Sequence, residues 1–157
     1  MSTHFTVRPA RPADARTLAE LRWAFKQEDY EGQPTAPARH LEEAERWIHD
    51  RLGGGHWLAW VAETGGDICG HVFLGLVGRM PEPYGDNNPV GYVTNFFVLP
   101  SQRNAGVGTA LLAALKRHAR SAGLEGLIVW PSELSTPLYR RCGFQPPEEL
   151  LELPLGT

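Results

Sequence analysis

The chain has 157 residues, of which 42% are hydrophobic and 21% are charged, and its formal net charge is −3. This length and composition predict one water-soluble globular domain over residues 1–157. The small negative charge, with no dense run of Lys or Arg, argues against a nucleic-acid partner. No apolar run approaches the roughly 18 residues that a membrane span needs. Because Met1–Pro9 contains no apolar signal core, we expect a cytoplasmic protein.

The first third of the chain predicts a strand followed by two helices. Phe5–Arg8 alternates apolar and polar residues before a proline, which is typical of an edge strand. A helix is expected to begin at Pro12, and a loop rich in Gly and Pro is expected over Glu31–Pro37. Apolar residues recur at helical spacing over Ala38–Leu52, and three consecutive glycines end that second helix.

The pattern then changes to that of strands. Trp57–Glu63 is rich in aromatic and β-branched residues, and Thr64–Asp67 carries the Gly-Gly signal of a hairpin turn. Ile68–Val77 is the expected return strand. Gly78–Gly91 is rich in Pro, Gly, Asp and Asn and predicts a long mobile loop, after which Val90–Leu99 is the expected central strand.

The last third predicts a helix over Gly106–Ser121, a short buried strand over Leu127–Trp130 and a brief helix over Thr136–Arg141. Phe144 and then Leu150–Leu155 are expected to form a final hairpin.

This element order predicts an α/β fold with a mixed, mostly antiparallel sheet and helices on both of its faces. The strand–helix–strand crossover from Val90 to Trp130 pairs two parallel strands within that sheet.

The loop between the central strand and the next helix predicts a phosphate site. It reads Arg-x-x-Gly-x-Gly from Arg103 to Gly108, at a helix N-terminus where unpaired N–H groups and the helix dipole favour an anion. The spacing fits neither a Walker loop nor the dinucleotide motif Gly-x-Gly-x-x-Gly. The alternative for this stretch alone is a surface turn before a glycine-rich helix start.

Two motifs together carry a resemblance to a known family. The Arg103–Gly108 loop follows Val98-Leu99-Pro100, and a later run, Pro137–Phe144, contains Leu-Tyr-x-x-x-Gly-Phe. In this order and spacing they resemble the GNAT superfamily of N-acetyltransferases, and the resemblance implies acetyl-CoA as co-substrate. It also implies that backbone amides of the loop cradle the pyrophosphate, namely those of Asn104, Ala105, Gly106, Val107, Gly108 and Thr109.

The same resemblance assigns the remaining donor-side residues. A bulge in the central strand is expected to turn a backbone N–H of Phe97 or Val98 toward the thioester oxygen and to open a gap for the pantetheine arm. Tyr139 is expected to protonate the leaving thiolate. Arg103 is expected to hold the pyrophosphate or a loop carbonyl, and Ser132 to contact the CoA arm.

The acceptor half of the site is less determined. Tyr92 stands where some relatives carry a catalytic glutamate, so the general base stays open among Glu28, Asp29, His71, Glu133 and a chain of waters. The residues expected to line the acceptor cleft are Glu28, Tyr92, Thr94 and Trp130. Aromatic faces beside carboxylates suit a cationic amine, although ordinary core aromatics beside a polar loop explain the pattern equally well.

The predicted function is therefore acetyl transfer from acetyl-CoA to a primary amine of a small molecule, by direct attack in a ternary complex. The alternatives are acetylation of a protein or peptide amine, and a non-catalytic acyl-CoA-binding module. Cys69 and Cys142 form no disulfide framework or metal pattern, and neither implies a covalent intermediate. The final strand is expected to be exposed and able to support a homodimer.

Overall fold

The structure is a computed structural model, and it describes residues 4–29, 38–85 and 87–156. The side chains of Glu28 and Asp29 fall outside this description, and so does the loop predicted over Glu31–Pro37.

The order of helices and strands up to the last short helix is the predicted one. The strands are β1 (Thr6–Pro9), β2 (Trp57–Thr64), β3 (Asp67–Val77), β4 (Val90–Val98) and β5 (Gly126–Val129). The helices are α1 (Ala15–Asp29), α2 (Ala38–Leu52), α3 (Val107–Ser121) and α4 (Thr136–Arg141). Two single 3-10 turns, Pro12–Asp14 and Pro100–Gln102, precede α1 and the phosphate loop. Within the described ranges, no helix combines the length and the apolar character needed to cross a bilayer.

The strands form one mixed sheet of five strands in the order β1-β2-β3-β4-β5. Strands β1 to β4 are antiparallel to their neighbours, whereas β5 runs parallel to β4, as a helical crossover requires. The tight β2–β3 turn uses Gly65 and Gly66 at φ values of +60° and +86°, a region of backbone conformation that favours glycine. The predicted fold class, with one parallel strand pair, is confirmed.

Helices cover both faces of the sheet. On one face, Leu18 of α1 and Ile48 of α2 pack with Val61 and Phe73. On the other face, α3 presents a buried stripe to the alternate residues of the strands, and this larger cluster includes Leu111, Leu115, Val72, Leu74 and Val93. Each fully buried Leu or Val contributes about 1.5–3 kcal/mol of hydrophobic free energy, so the α3 interface fixes the start of that helix against β4.

Strand β4 carries the predicted bulge. Phe73 pairs with Thr94 and His71 with Phe97, so β4 holds one more residue between these pairs than β3 does. Asn95, one of the two β4 residues between these pairs, has a φ of +52°, a conformation that Asn tolerates better than most residues. The bulge bends β4 just before it reaches the phosphate loop.

The predicted C-terminal hairpin is wrong. Residues 145–156 form no strand, and the leucines of this segment are mostly exposed, from 55% at Leu150 to 94% at Leu151. Pro146, Pro147 and Pro154 lack the N–H that a ladder needs, and they interrupt the segment at both ends. The alternating leucines are therefore not buried by a sheet face, and the final strand expected to support a homodimer is not formed.

Candidate active site

The loop between β4 and α3 presents a row of free backbone donors. Gly106 is the N-cap of α3 and has a φ of +85°, with nothing within 4 Å of the place where a Cβ would stand. Among the residues that the structure describes, no amide from Asn104 to Thr109 donates to a backbone carbonyl. Unpaired N–H groups at the positive end of a helix are suited to hold a pyrophosphate, so the loop fits the CoA phosphates.

The second glycine of the motif serves packing. A Cβ at Gly108 would lie 2.9 Å from both Leu138 Cδ2 and Phe96 Cζ. The absence of a side chain therefore lets α3 approach the bulge of β4 and helix α4 closely. Val107 is likewise buried in the core, so only its backbone faces the loop. This packing role of Gly108 was not part of the sequence prediction, which placed the residue only in the cradle.

Strands β4 and β5 part where the bulge begins. They pair only from Val90 with Gly126 to Val93 with Val129. Immediately after the end of β4, Leu99 N–H donates to the carbonyl of Cys69 at 2.8 Å. Because hydrogen-bonded and non-hydrogen-bonded pairs alternate in an antiparallel ladder, the next pair, Gly70 with Val98, is non-hydrogen-bonded. The N–H and C=O of Val98 therefore point away from β3, into the gap beside β4.

Arg103 lies against the end of this strand. Its Nε donates to the Val98 carbonyl at 2.9 Å, and its guanidinium carbon lies 5.5 Å from the centroid of the Phe97 ring. The sequence left two partners open for Arg103, the pyrophosphate and a carbonyl of the loop. In the structure Arg103 binds a backbone carbonyl, but this carbonyl belongs to strand β4 and not to the loop.

Tyr139 on α4 packs against the bulge. Its ring lies 5.6 Å from that of Phe96 and 5.2 Å from that of Phe144, and the residue is 3% exposed. Burial, with a smaller effect of the nearby Cys142, raises the pKa of the Tyr139 phenol far above its ordinary value. The phenol is therefore fully protonated across the physiological pH range, and its hydroxyl can donate a hydrogen bond.

Ser132 belongs to the turn that starts α4. Its hydroxyl lies 2.9 Å from the Ser135 hydroxyl, and its carbonyl accepts from the Thr136 hydroxyl at 2.7 Å. These bonds stabilise the first turn of the short helix that carries Tyr139. The contact with the CoA arm that the resemblance implies for Ser132 stays a prediction.

On the acceptor side, Tyr92 and Trp130 meet at the mouth of the strand gap. Their rings form an edge-to-face pair with centroids 5.5 Å apart, and Trp130 is 63% exposed. Thr94 follows two residues after Tyr92, and its hydroxyl accepts a long hydrogen bond of 3.4 Å from the Asn95 amide. Glu28 lies in the last turn of α1, and its side chain is outside the described structure.

His71 is the unusual group of the core. It is fully buried beneath the bulge, with ring neighbours Phe73 at 5.7 Å and Phe97 at 6.0 Å. Neither ring nitrogen makes a well-formed hydrogen bond to a residue that the structure describes. Burial lowers the pKa of His71 to about 4, and the positive charge of Arg22 acts in the same direction, although the nearby Asn95 backbone opposes it. A neutral, enclosed imidazole is poorly suited to accept the proton of an incoming amine.

A separate groove of about 520 Å³ runs between β5, α4 and the C-terminal segment. Tyr139 forms part of its wall, but Val98 and the Arg103–Thr109 loop do not border it. The predicted donor site therefore does not coincide with this groove. In the described ranges, no group of three or more His, Cys, Asp or Glu side chains is placed to hold a metal ion.

A helix start with free amides, a bulged central strand and a buried phenol are the features that the sequence resemblance implies for one class of protein, the acyl-CoA-dependent transferases. The comparison with protein families agrees. The family model described as "Acetyltransferase (GNAT) family" matches residues 16–144, and the chain belongs to this family.

Individual relatives extend the comparison. Over 152 residues, 93% of this chain and 90% of the relative, the chain is 30% identical to an aminoglycoside N(6')-acetyltransferase type 1 of Stenotrophomonas maltophilia. It is 39% identical over 66 residues to a glucosamine 6-phosphate N-acetyltransferase of Trypanosoma brucei brucei, 42% of this chain and 45% of that protein. The crystal structure of a predicted acetyltransferase from Clostridium acetobutylicum, solved with acetyl-CoA, superposes with a TM-score of 0.78 at 25% identity, over 97% of each chain. The chain is thus an acetyl-CoA-dependent N-acetyltransferase of the GNAT type.

Proposed function

We propose that the protein transfers the acetyl group of acetyl-CoA to a primary amine of a small molecule, by direct attack within a ternary complex. The observation that carries this proposal is the convergence of three groups at one end of β4: the free amides of the loop, the gap-facing N–H of Val98 and the buried Tyr139 phenol. The first would bind the donor, the second polarise it and the third protonate its leaving group.

The chemical step follows from these positions. The neutral amine attacks the thioester carbon, and the negative charge that develops on the carbonyl oxygen is stabilised by the Val98 N–H. The C–S bond then breaks, and the CoA thiolate takes the proton of Tyr139. The new amide loses its extra proton to water, and that proton restores the phenol. His71 is buried and held neutral, so we assign proton removal to solvent rather than to His71.

The small-molecule class rests on two further observations. The named relatives act on an aminoglycoside and on glucosamine 6-phosphate, both of which are compact polar amines. Tyr92 and Trp130 provide an exposed aromatic wall next to the strand gap, as is common in sites that bind small ligands.

A thiol-release assay with a panel of amines tests the proposal. The panel contains aminoglycosides, amino sugars and their phosphates, simple diamines and short peptides with a free N-terminus or lysine. We expect CoA release and a mass gain of one acetyl group with at least one small amine, with initial-rate patterns that intersect. Activity confined to peptides would favour a protein acetyltransferase, and tight CoA binding without any turnover would favour a binding module.

A further inference from the structure

The side chain of Arg103 is used at the reacting end of the donor site. Its Nε is 2.9 Å from the Val98 carbonyl oxygen, and its guanidinium lies over the ring of Phe97. Both contacts are with the residues that the sequence assigned to the thioester carbonyl. An arginine that heads a phosphate loop thus reaches back to the strand that precedes the loop.

The hydrogen bond has an electrostatic consequence in the strand gap. The Val98 carbonyl points to the same side of β4 as the Val98 N–H, because both groups of one residue in a strand lie on the same edge. An unpaired carbonyl there would place its negative end close to the oxygen that becomes negative in the transition state. The Nε–H of Arg103 satisfies that carbonyl by a hydrogen bond and fixes its direction.

The Phe97 ring is held on its other sides by the core. Phe25 of α1 lies edge-on at 5.4 Å, and His71 lies at 6.0 Å. Arg103 completes this enclosure by packing over the Phe97 ring and by binding the Val98 carbonyl. The backbone between Phe97 and Val98 is therefore restrained at both residues. Restraint of this kind keeps a catalytic N–H at its required angle without reorganisation during the reaction.

We propose that Arg103 is a positioning residue, which aims the Val98 N–H at the thioester carbonyl, and that the pyrophosphate is held by the loop amides without it. This inference rests on the proposed acetyl transfer, since it assigns the Val98 N–H to the thioester. It predicts that the position of the Nε donor matters and that the positive charge does not.

Three substitutions separate the position of the donor from the charge. In the Arg103→Gln variant, the amide nitrogen stands the same number of bonds from the backbone as Nε, so the donor is kept and the charge is lost. Arg103→Lys keeps the charge but loses the planar group and moves the donor outward. Arg103→Met keeps only the apolar stem. We expect kcat to fall less than about threefold for Gln, and about tenfold to hundredfold for Met and Lys.

A truncated donor provides the second arm of the test. S-acetylpantetheine carries the thioester and the pantetheine arm but lacks the pyrophosphate. A positioning residue acts on the thioester, so the Met and Lys variants should lose the same factor with this donor as with acetyl-CoA. The inference is overturned if the loss appears only with acetyl-CoA, or if the Lys variant keeps full activity while the Gln variant does not.

Binding and exchange measurements keep the inference separate from the proposed function. We expect the Kd of CoA to change less than about threefold in all three variants, and amide hydrogen exchange of the 96–99 segment to accelerate in the Met variant. Arg16→Met is the matched control, because the ion pairs that Arg16 forms with Glu20 and Glu45 are exposed. If the wild-type protein acetylates no amine, the proposed function fails. Unchanged exchange at 96–99 in the Met variant would then still refute the positioning role.

Discussion

The rings of Phe96 and Tyr139 lie 5.6 Å apart, which brings the bulge of β4 and the short helix α4 into direct contact. The two residues are 43 positions apart in the chain and come from different elements. Their contact places a protonated phenol beside the strand segment whose N–H faces the gap. The reaction geometry therefore depends on how α4 docks, and Gly108 allows this by leaving room for Phe96 and Leu138.

Removing only the hydroxyl of Tyr139 should separate acid catalysis from packing. Tyr139→Phe keeps the ring between Phe96 and Phe144, so we expect thermal stability and CoA affinity near those of the wild type. Turnover should fall about a hundredfold, the usual contribution of a general acid. Steady-state kinetics and calorimetry measure these quantities. Tyr84→Phe, at a fully exposed tyrosine, is the control, and an equal kcat in the two variants would remove Tyr139 from the acid role.

The Gly106→Asp substitution should abolish CoA binding, because its carboxylate repels the phosphates and its side chain strains the backbone. At a φ of +85°, an alanine costs about 1–2 kcal/mol of stability, and Gly106→Asp also places a carboxylate among the phosphate-facing amides. We expect the Asp variant to be folded by circular dichroism and to show no CoA binding by calorimetry. Gly65→Ala is the matched control, since that glycine has a φ of +60° in the distant β2–β3 turn. It should lose stability and keep the wild-type Kd, and tight CoA binding by the Asp variant would contradict the assignment of the loop.

Buried His71 should make the protein less stable in mild acid. Its pKa is about 4 in the folded protein, against an ordinary value near 6.5 in the unfolded chain. Between these values the unfolded chain binds a proton that the folded protein does not, so stability is fully present above about pH 6.5 and falls as the pH drops toward 4. The loss amounts to about 3 kcal/mol in the free energy of unfolding.

Urea titrations across this pH range, on wild type and on His71→Phe, measure that loss. The phenylalanine variant has no titrating group at this position and removes two buried nitrogens that make no well-formed hydrogen bond to a described residue. Its pH slope should therefore be shallower and its stability at pH 7 not reduced. His71→Leu provides a second variant in case the larger ring is not accommodated. Parallel slopes in all three proteins would show that His71 is not the group responsible.

Trp130 should determine acceptor affinity and leave donor binding unaffected. Its exposed ring stands against Tyr92 at the mouth of the strand gap. We expect Trp130→Ala to raise the KM of the best amine about threefold to tenfold, with the KM of acetyl-CoA unchanged. Trp47→Ala is the control, because Trp47 packs against Trp57 on the outer side of α2. An acceptor KM that changes in the control and not in the Trp130 variant would move the acceptor site away from this wall.

The element order, the mixed sheet and the phosphate loop were predictable because each has a local cause. Apolar residues that recur every 2 residues indicate strands, and those that recur about every 3.6 residues indicate helices. Gly65-Gly66 ends β2 and Gly123 follows α3, at positions where the backbone has a positive φ. The loop also has a local cause, since the start of α3 and the unobstructed Gly106 are enough to expose its backbone amides. The final hairpin was predicted by the same rule and is not formed, because alternation of leucines alone does not supply a partner strand or a face to cover.

The tertiary structure decided which groups meet. The partner of Arg103, the enclosure of His71 and the contact of Tyr139 with Phe96 all depend on a bulge at Asn95 and on the docking of α3 and α4, which join residues distant in sequence. Local patterns carry no information about such contacts, because a side chain's partner is set by packing between elements. The sequence by itself therefore predicted the donor half of the site, and its resemblance to a known family predicted the co-substrate. The direction of the Val98 N–H and the burial of Tyr139 follow only from the packed fold.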